Sequence, residues 1–121
     1  MDIRKLDRGA MKAEYGALIQ RLLPWAGLNS PFEGAWSVVE PGGATAAHSH
    51  HEYEMFIATS GDAILDVDGE RRPFVAGDVA YLTPGTEHQV INSTDTDFQF
   101  YSVWWDQEMA DRFKARHETA G

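Results

Sequence analysis

The 121-residue chain contains no cysteine. Disulfides and thiolate metal sites are therefore excluded, and a reducing compartment is compatible. Basic residues are scarce: 10 Lys and Arg stand against 19 Asp and Glu, a net charge of -9. That balance argues against a nucleic-acid backbone or an anionic membrane as partner. Long apolar runs are missing as well. The stretch ALIQRLLPWAGL is broken by Gln20, Arg21 and Pro24 and is too short and polar to span a bilayer. The start, MDIRKLDRGAMK, lacks the apolar centre of a secretion signal, so a cytoplasmic protein is the expectation. Internal repeats and low-complexity tracts are also absent. What is present, 43% hydrophobic and 24% charged residues, suits one ordinary globular domain.

The middle of the chain is a series of short β-type runs separated by turn chemistry: 35–39, 53–59, 63–67, 71–75, 79–83, 88–92 and 98–105. Asp68-Gly69 is the strongest two-residue hairpin signal. Strands this short and this evenly punctuated point to an all-β sandwich or barrel. Residues 106–117, DQEMADRFKARH, read instead as a helix, with Met109 and Phe113 four apart and Asp106 as its N-cap. Residues 8–23 fit a helical turn followed by a strand, LIQRLL.

Four of the five histidines fall in two segments, HSHHEYE and TEHQVIN. Residues two apart on an extended strand share a face, so His48 and His50 project together while Ser49 points away. Glu54 follows after a tight bend, and Phe56 and Ala58 share its face. His88 opens another strand and is placed to complete the set from across a barrel, with Val90 and Asn92 on its face. Three imidazoles and a carboxylate suit a divalent cation, with Zn, Fe, Mn, Ni or Cu open. A coordination position left for water or substrate would make the site catalytic. Glu54 is either a permanent ligand or a base. His51 is expected at the surface, and so is His117, where a cation favours a helix C-terminus. Among the aromatics, Phe98, Phe100 and Trp104 fall on one face of the last strand and Tyr101 and Trp105 on the other; Trp36 and Phe56 lie in other strands. Tyr53 and Tyr81 are candidate pocket phenols.

These segments resemble the cupin superfamily. Gly42, His48, His50, Glu54 and Gly61 match the first cupin motif, G-x5-H-x-H-x3-E-x6-G. Gly77, Gly85, His88 and Asn92 match the second, G-x5-P-x-G-x2-H-x3-N, in which Thr83 stands at the proline position and Pro84 follows it. The resemblance implies an all-β double-stranded β-helix, a jelly-roll-like barrel, over residues 35–105. Residues 1–34 would be an N-terminal extension packing on it, and residues 106–121 a short helix and tail. It also implies metal ligands at His48, His50, Glu54 and His88, and a homodimer as a candidate state, since cupins often pair through sheet edges.

A narrower resemblance links LPWAGLNSPFEGAWSVVEPGG, HSHHEYEMFIA and YSVWWD to the cupin part of bacterial hydrazine synthetases. Those cupins work with a methionyl-tRNA-synthetase-like ligase that esterifies an N-hydroxylated amine with an amino acid. The zinc-holding cupin then forms an N–N bond by rearrangement of that ester. The resemblance implies N–N bond formation on a small molecule and a ligase domain or subunit as partner, because this chain carries no nucleotide-binding signature. The alternatives are an Fe, Mn or Ni dioxygenase or isomerase, and a non-catalytic small-ligand binding or sensor module. The HxH-plus-Glu set argues against the two-histidine, one-carboxylate oxygenases.

Overall fold

The structure is a computed structural model that describes residues 1–120, with side chains to residue 118. Nine strands and one helix follow a short helical turn at Arg8–Ala10. The strands are β1 (Lys12–Glu14), β2 (Ala17–Arg21), β3 (Phe32–Val39), β4 (Tyr53–Ser60), β5 (Asp62–Val67), β6 (Glu70–Val75), β7 (Val79–Leu82), β8 (His88–Ile91) and β9 (Phe98–Trp105). The helix is α1 (Gln107–Ala120). They form a six-stranded sheet, β1-β2-β3-β9-β4-β7, and a three-stranded sheet, β6-β5-β8. Every strand pair is antiparallel.

The two sheets close on an apolar interior because their strands alternate. On β4, Glu54, Phe56 and Ala58 are buried while Met55 and Ile57 are half-buried on the other face. On β9, Phe98, Phe100 and Ser102 point in. The sheets meet where Phe74 of β6 packs on Phe98 of β9, ring centroids 5.7 Å apart. Val39, Leu65, Val90 and Phe98 fill the centre of this cluster, each such side chain worth roughly 1.5–3 kcal/mol on burial.

Two hairpins rest on two-residue turns with positive φ at both positions. Asp68-Gly69 (φ 51° and 87°) joins β5 to β6, as its sequence predicts. Tyr15-Gly16 (φ 51° and 81°) joins β1 to β2. Glycine is required at 16 for a second reason: a Cβ there would lie 2.4 Å from the Ala44 carbonyl oxygen. This hairpin adds a strand, β1, ahead of the one expected over residues 18–23. The helical turn is present, with the Asp7 carboxylate accepting from Gly9 N at 3.1 Å. The strand after it is β2, which covers residues 18–21 of the expected run and stops at Arg21. β3 likewise starts at Phe32, three residues before the expected 35, because it runs the full length of β9 from Phe32↔Trp105 to Val39↔Phe98.

Asp106 caps α1, its carboxylate accepting from Met109 N at 3.2 Å. Met109 and Phe113 stay exposed at 38% and 56%, so the helix is not anchored by that pair. Gly121, the end of the expected tail, lies outside the described residues. Among the described residues no helix is long and apolar enough to cross a membrane.

Candidate metal centre

Backbone pairing brings the two histidine segments together. His48 and His88 form a two-residue bridge: His48 N donates to His88 O at 3.3 Å and His88 N to His48 O at 3.0 Å. Gly85 N donates to His50 O at 2.8 Å, which fastens the turn before β8 to the second histidine. Gly85 has φ 81° there, which is why that turn takes glycine. The imidazoles converge, with centroids 4.6 Å (His48–His88), 5.2 Å (His50–His88) and 5.8 Å (His48–His50) apart. One nitrogen from each lies within 4.8 Å of the others, so the three could hold a metal ion. Glu54, 5% exposed on β4, adds a carboxylate oxygen 2.8 Å from His50 Nε2 and 3.2 Å from His88 Nε2.

The hydrogen bonds around the rings determine which nitrogens face the centre. His48 Nδ1 lies 2.9 Å from Ala46 O, and His88 Nδ1 3.3 Å from Thr86 O. A carbonyl only accepts, so each Nδ1 carries the proton and each Nε2 presents a lone pair. His88 Nε2 is buried and makes no hydrogen bond among the described residues, although the Glu54 oxygen is close. A lone pair against a carboxylate oxygen, both on buried side chains, calls for a positive charge between them. Oxygen and nitrogen donors held in this way fit a divalent cation, with the rear nitrogens of His48 and His88 tied to carbonyls and His50 Nδ1 buried without a hydrogen bond.

The cupin domain family matches residues 35–104, more than half of the chain. The chain belongs to the cupin family. It is 56% identical to a cupin 2 conserved barrel domain protein of Salinispora arenicola, whose structure superposes with a TM-score of 0.85 over 97% of this chain and 98% of that one. The plu4264 protein of Photorhabdus luminescens is 45% identical, with a TM-score of 0.85 over 98% and 99% of the two chains. The oxalate-binding protein of Thermotoga maritima is 31% identical over 64 residues, 52% of this cupin and 53% of that protein. The match therefore spans about half the length of that relative.

The cupin motifs explain residues besides the histidines. Gly42, Gly61, Gly77 and Gly85 all have positive φ, at 73°, 89°, 97° and 81°. Asn92 is 1% exposed. Its Nδ2 donates to Val39 O at 2.9 Å and Thr96 O at 2.8 Å, and its Oδ1 accepts from Thr94 N at 3.0 Å, so it ties loops together. His51 and His117 are both exposed, as expected.

A cavity of about 390 Å³ opens on the histidines. Its walls include Phe56, Phe100 and Trp104, which sequence parity places inside, and also Glu14, Tyr15, Arg21, Ser37 and Ser102, which no motif signals. Tyr15 stacks on His48 at 5.2 Å and 20°. Arg21 meets Glu14 at 3.0 Å and 3.3 Å, and that hydrogen bond is the main reason its basicity is raised. Tyr53 and Tyr81 are not pocket phenols. They stack on each other outside the barrel, 6.1 Å apart, and Tyr53 also stacks on Trp105 at 6.1 Å. Tyr53 adjoins Glu54, so the same alternation that turns Glu54 inward turns Tyr53 outward.

Proposed function

We propose that this cupin is a metal-dependent enzyme acting on a small molecule bound in its cavity. His48, His50, His88 and Glu54 would hold the divalent cation, zinc by expectation with Fe, Mn or Ni open. The reading is carried by the buried, unpartnered His88 Nε2 beside the Glu54 carboxylate. A bound divalent cation supplies Lewis-acid polarisation of an oxygen and a fixed position for it. The chain's own residues do the rest. Ala46 and Thr86 carbonyls hold two imidazoles in one tautomer. Phe56 and Phe100, ring centroids 4.8 Å apart, wall off water on one side. Glu54 stays a ligand, or takes a proton when it swings from the centre.

Elemental analysis tests the assignment. His48→Ala and His88→Ala should each lose most bound metal while the far-ultraviolet circular dichroism keeps its β-sheet form. Full occupancy in both variants overturns it. A second reading, a binding module without turnover, is favoured by the likeness to the oxalate-binding protein of Thermotoga maritima. Return of a stoichiometrically bound small acid unchanged, with the metal in place, would support that reading.

N–N bond formation is the sharpest form of the enzymatic reading. It rests on the sequence resemblance alone, and the cavity chemistry does not select it over other metal-assisted reactions. Incubation with a synthetase-like ligase, ATP, an amino acid and an N-hydroxylated amine decides it by whether a hydrazine forms.

A further inference from the structure

The wall of the cavity formed by β2, β3 and β9 carries polar groups that the metal reading does not use. Ser37 and Ser102 are 3% and 5% exposed and line the cavity. No hydrogen bond joins either hydroxyl to a protein group among the described residues, and neither oxygen is fully enclosed, so both open onto the cavity. The ladder places them on one face of neighbouring strands, since Ser37 pairs with Phe100 and Ala35 with Ser102. They are therefore diagonal neighbours, about 7–8 Å apart.

Arg21 stands in the same row. It pairs with Ala35, which pairs with Ser102, so Arg21 and Ser102 are two strands apart, about 10 Å between Cα atoms. A guanidinium and a bound carboxylate together bridge that gap. The contact of Arg21 with Glu14 is not an ordinary cross-strand pair. Glu14 faces Ala17 in the ladder, four residues before Arg21, so the two side chains reach toward each other past Ile19, along the cavity wall that all four residues line. Arg21 also lies over the Trp104 ring at 5.9 Å. Its Nε and Nη2 donate to Glu14, and its Nη1 has no hydrogen bond among the described residues.

We infer that Arg21 and the Ser102 hydroxyl, with Ser37 beside them, form a carboxylate-binding pole opposite the histidines, so that the molecule taken is a small organic acid with an oxygen-donor group at each end. The inference deepens the proposed function and rests on it for the histidine end only. A planar guanidinium fork matches a carboxylate, and Glu14 already engages it in that way. Glu14 and Glu52 also line the cavity, so this pole suits a group with one negative charge better than the two that a phosphate would bring to the same spot. Glu14 then acts as a resident competitor that an entering acid displaces.

The experiment is calorimetric titration of succinate and of propionate, its single-carboxylate counterpart, into metal-loaded and metal-free protein. The variants are Arg21→Gln, Ser102→Ala and Glu14→Gln. Arg21 has 41% of its side chain exposed, so its replacement spares the fold. The wild type should prefer succinate over propionate by about tenfold, as expected for one charged hydrogen-bonded contact. That preference should vanish in Arg21→Gln, shrink in Ser102→Ala, and grow in Glu14→Gln. A wild type without the preference, a preference unchanged in Arg21→Gln, or a Glu14→Gln protein that binds succinate no tighter overturns the pole. Failure of the metal reading looks different: no metal uptake, with residual succinate binding that still falls in Arg21→Gln.

Discussion

The inner face of β9 changes character within five residues, from Phe98 to Ser102, and with it the barrel interior. At one end Phe98 is fully buried against Phe74 and Phe100, and its ladder partner is Val39. At the other, Ser102 stands opposite Ala35, and the space their small side chains leave belongs to a cavity of about 390 Å³. Both ends obey the same inward parity, so alternation alone cannot tell them apart. The difference is side-chain volume. Rings and branched residues fill the closed end and make it the seat of stability, while alanines and serines leave room beside the histidines. Stability and ligand capacity are thus separated along single strands.

The contrast breaks most visibly at Phe98. Phe98→Ala should cost about 3–5 kcal/mol, because the packed neighbours cannot collapse into the space left. Urea denaturation measures it. A loss below about 1 kcal/mol would show that the closed end is not the anchor and that the two ends are equivalent. A smaller effect is expected at Asn92, the buried amide of the same end. Asn92→Ala leaves the Val39 and Thr96 carbonyls without their donor and should cost about 1–3 kcal/mol. Metal content per folded molecule should be unchanged in both, in contrast to His88→Ala.

Much of this was legible in the residues, for reasons that can be named. The strands with a clean period of two, Tyr53–Ser60 and Phe98–Trp105, appear within a residue of the turn-bounded runs. Asp68-Gly69 states its turn in two letters. The histidine convergence follows from an HxH spacing, a glutamate and a distant histidine. The N-terminal hairpin was not legible, because Tyr15 is a poor turn residue and its positive φ is imposed by Gly16 and by the Ala46 N–H that donates to the Tyr15 carbonyl at 2.7 Å. Arg21, Ser37 and Ser102 carry no motif, and only the register of β2, β3 and β9 places them in one wall. Tyr53 and Tyr81 fail for the opposite reason. Their parity was readable, since Glu54 pairs with Leu82 and Met55 with Tyr81, which puts both tyrosines on the outer face.

The smallest expected effect probes the open end directly. Ser102→Val adds little volume, suits a strand, and removes a hydroxyl with no hydrogen bond among the described residues. The added methyl group meets the open space of the cavity, so stability should stay within about 1 kcal/mol of the wild type, whereas overpacking a filled core costs about 1–3 kcal/mol. Thermal denaturation of the metal-free protein reads this without interference from ligand linkage. Four residues away on the same strand and face, Phe98→Ala should be severely destabilised. Equal penalties at the two positions would mean that the barrel interior is uniformly packed, and the volume argument that sets the open end apart would fail.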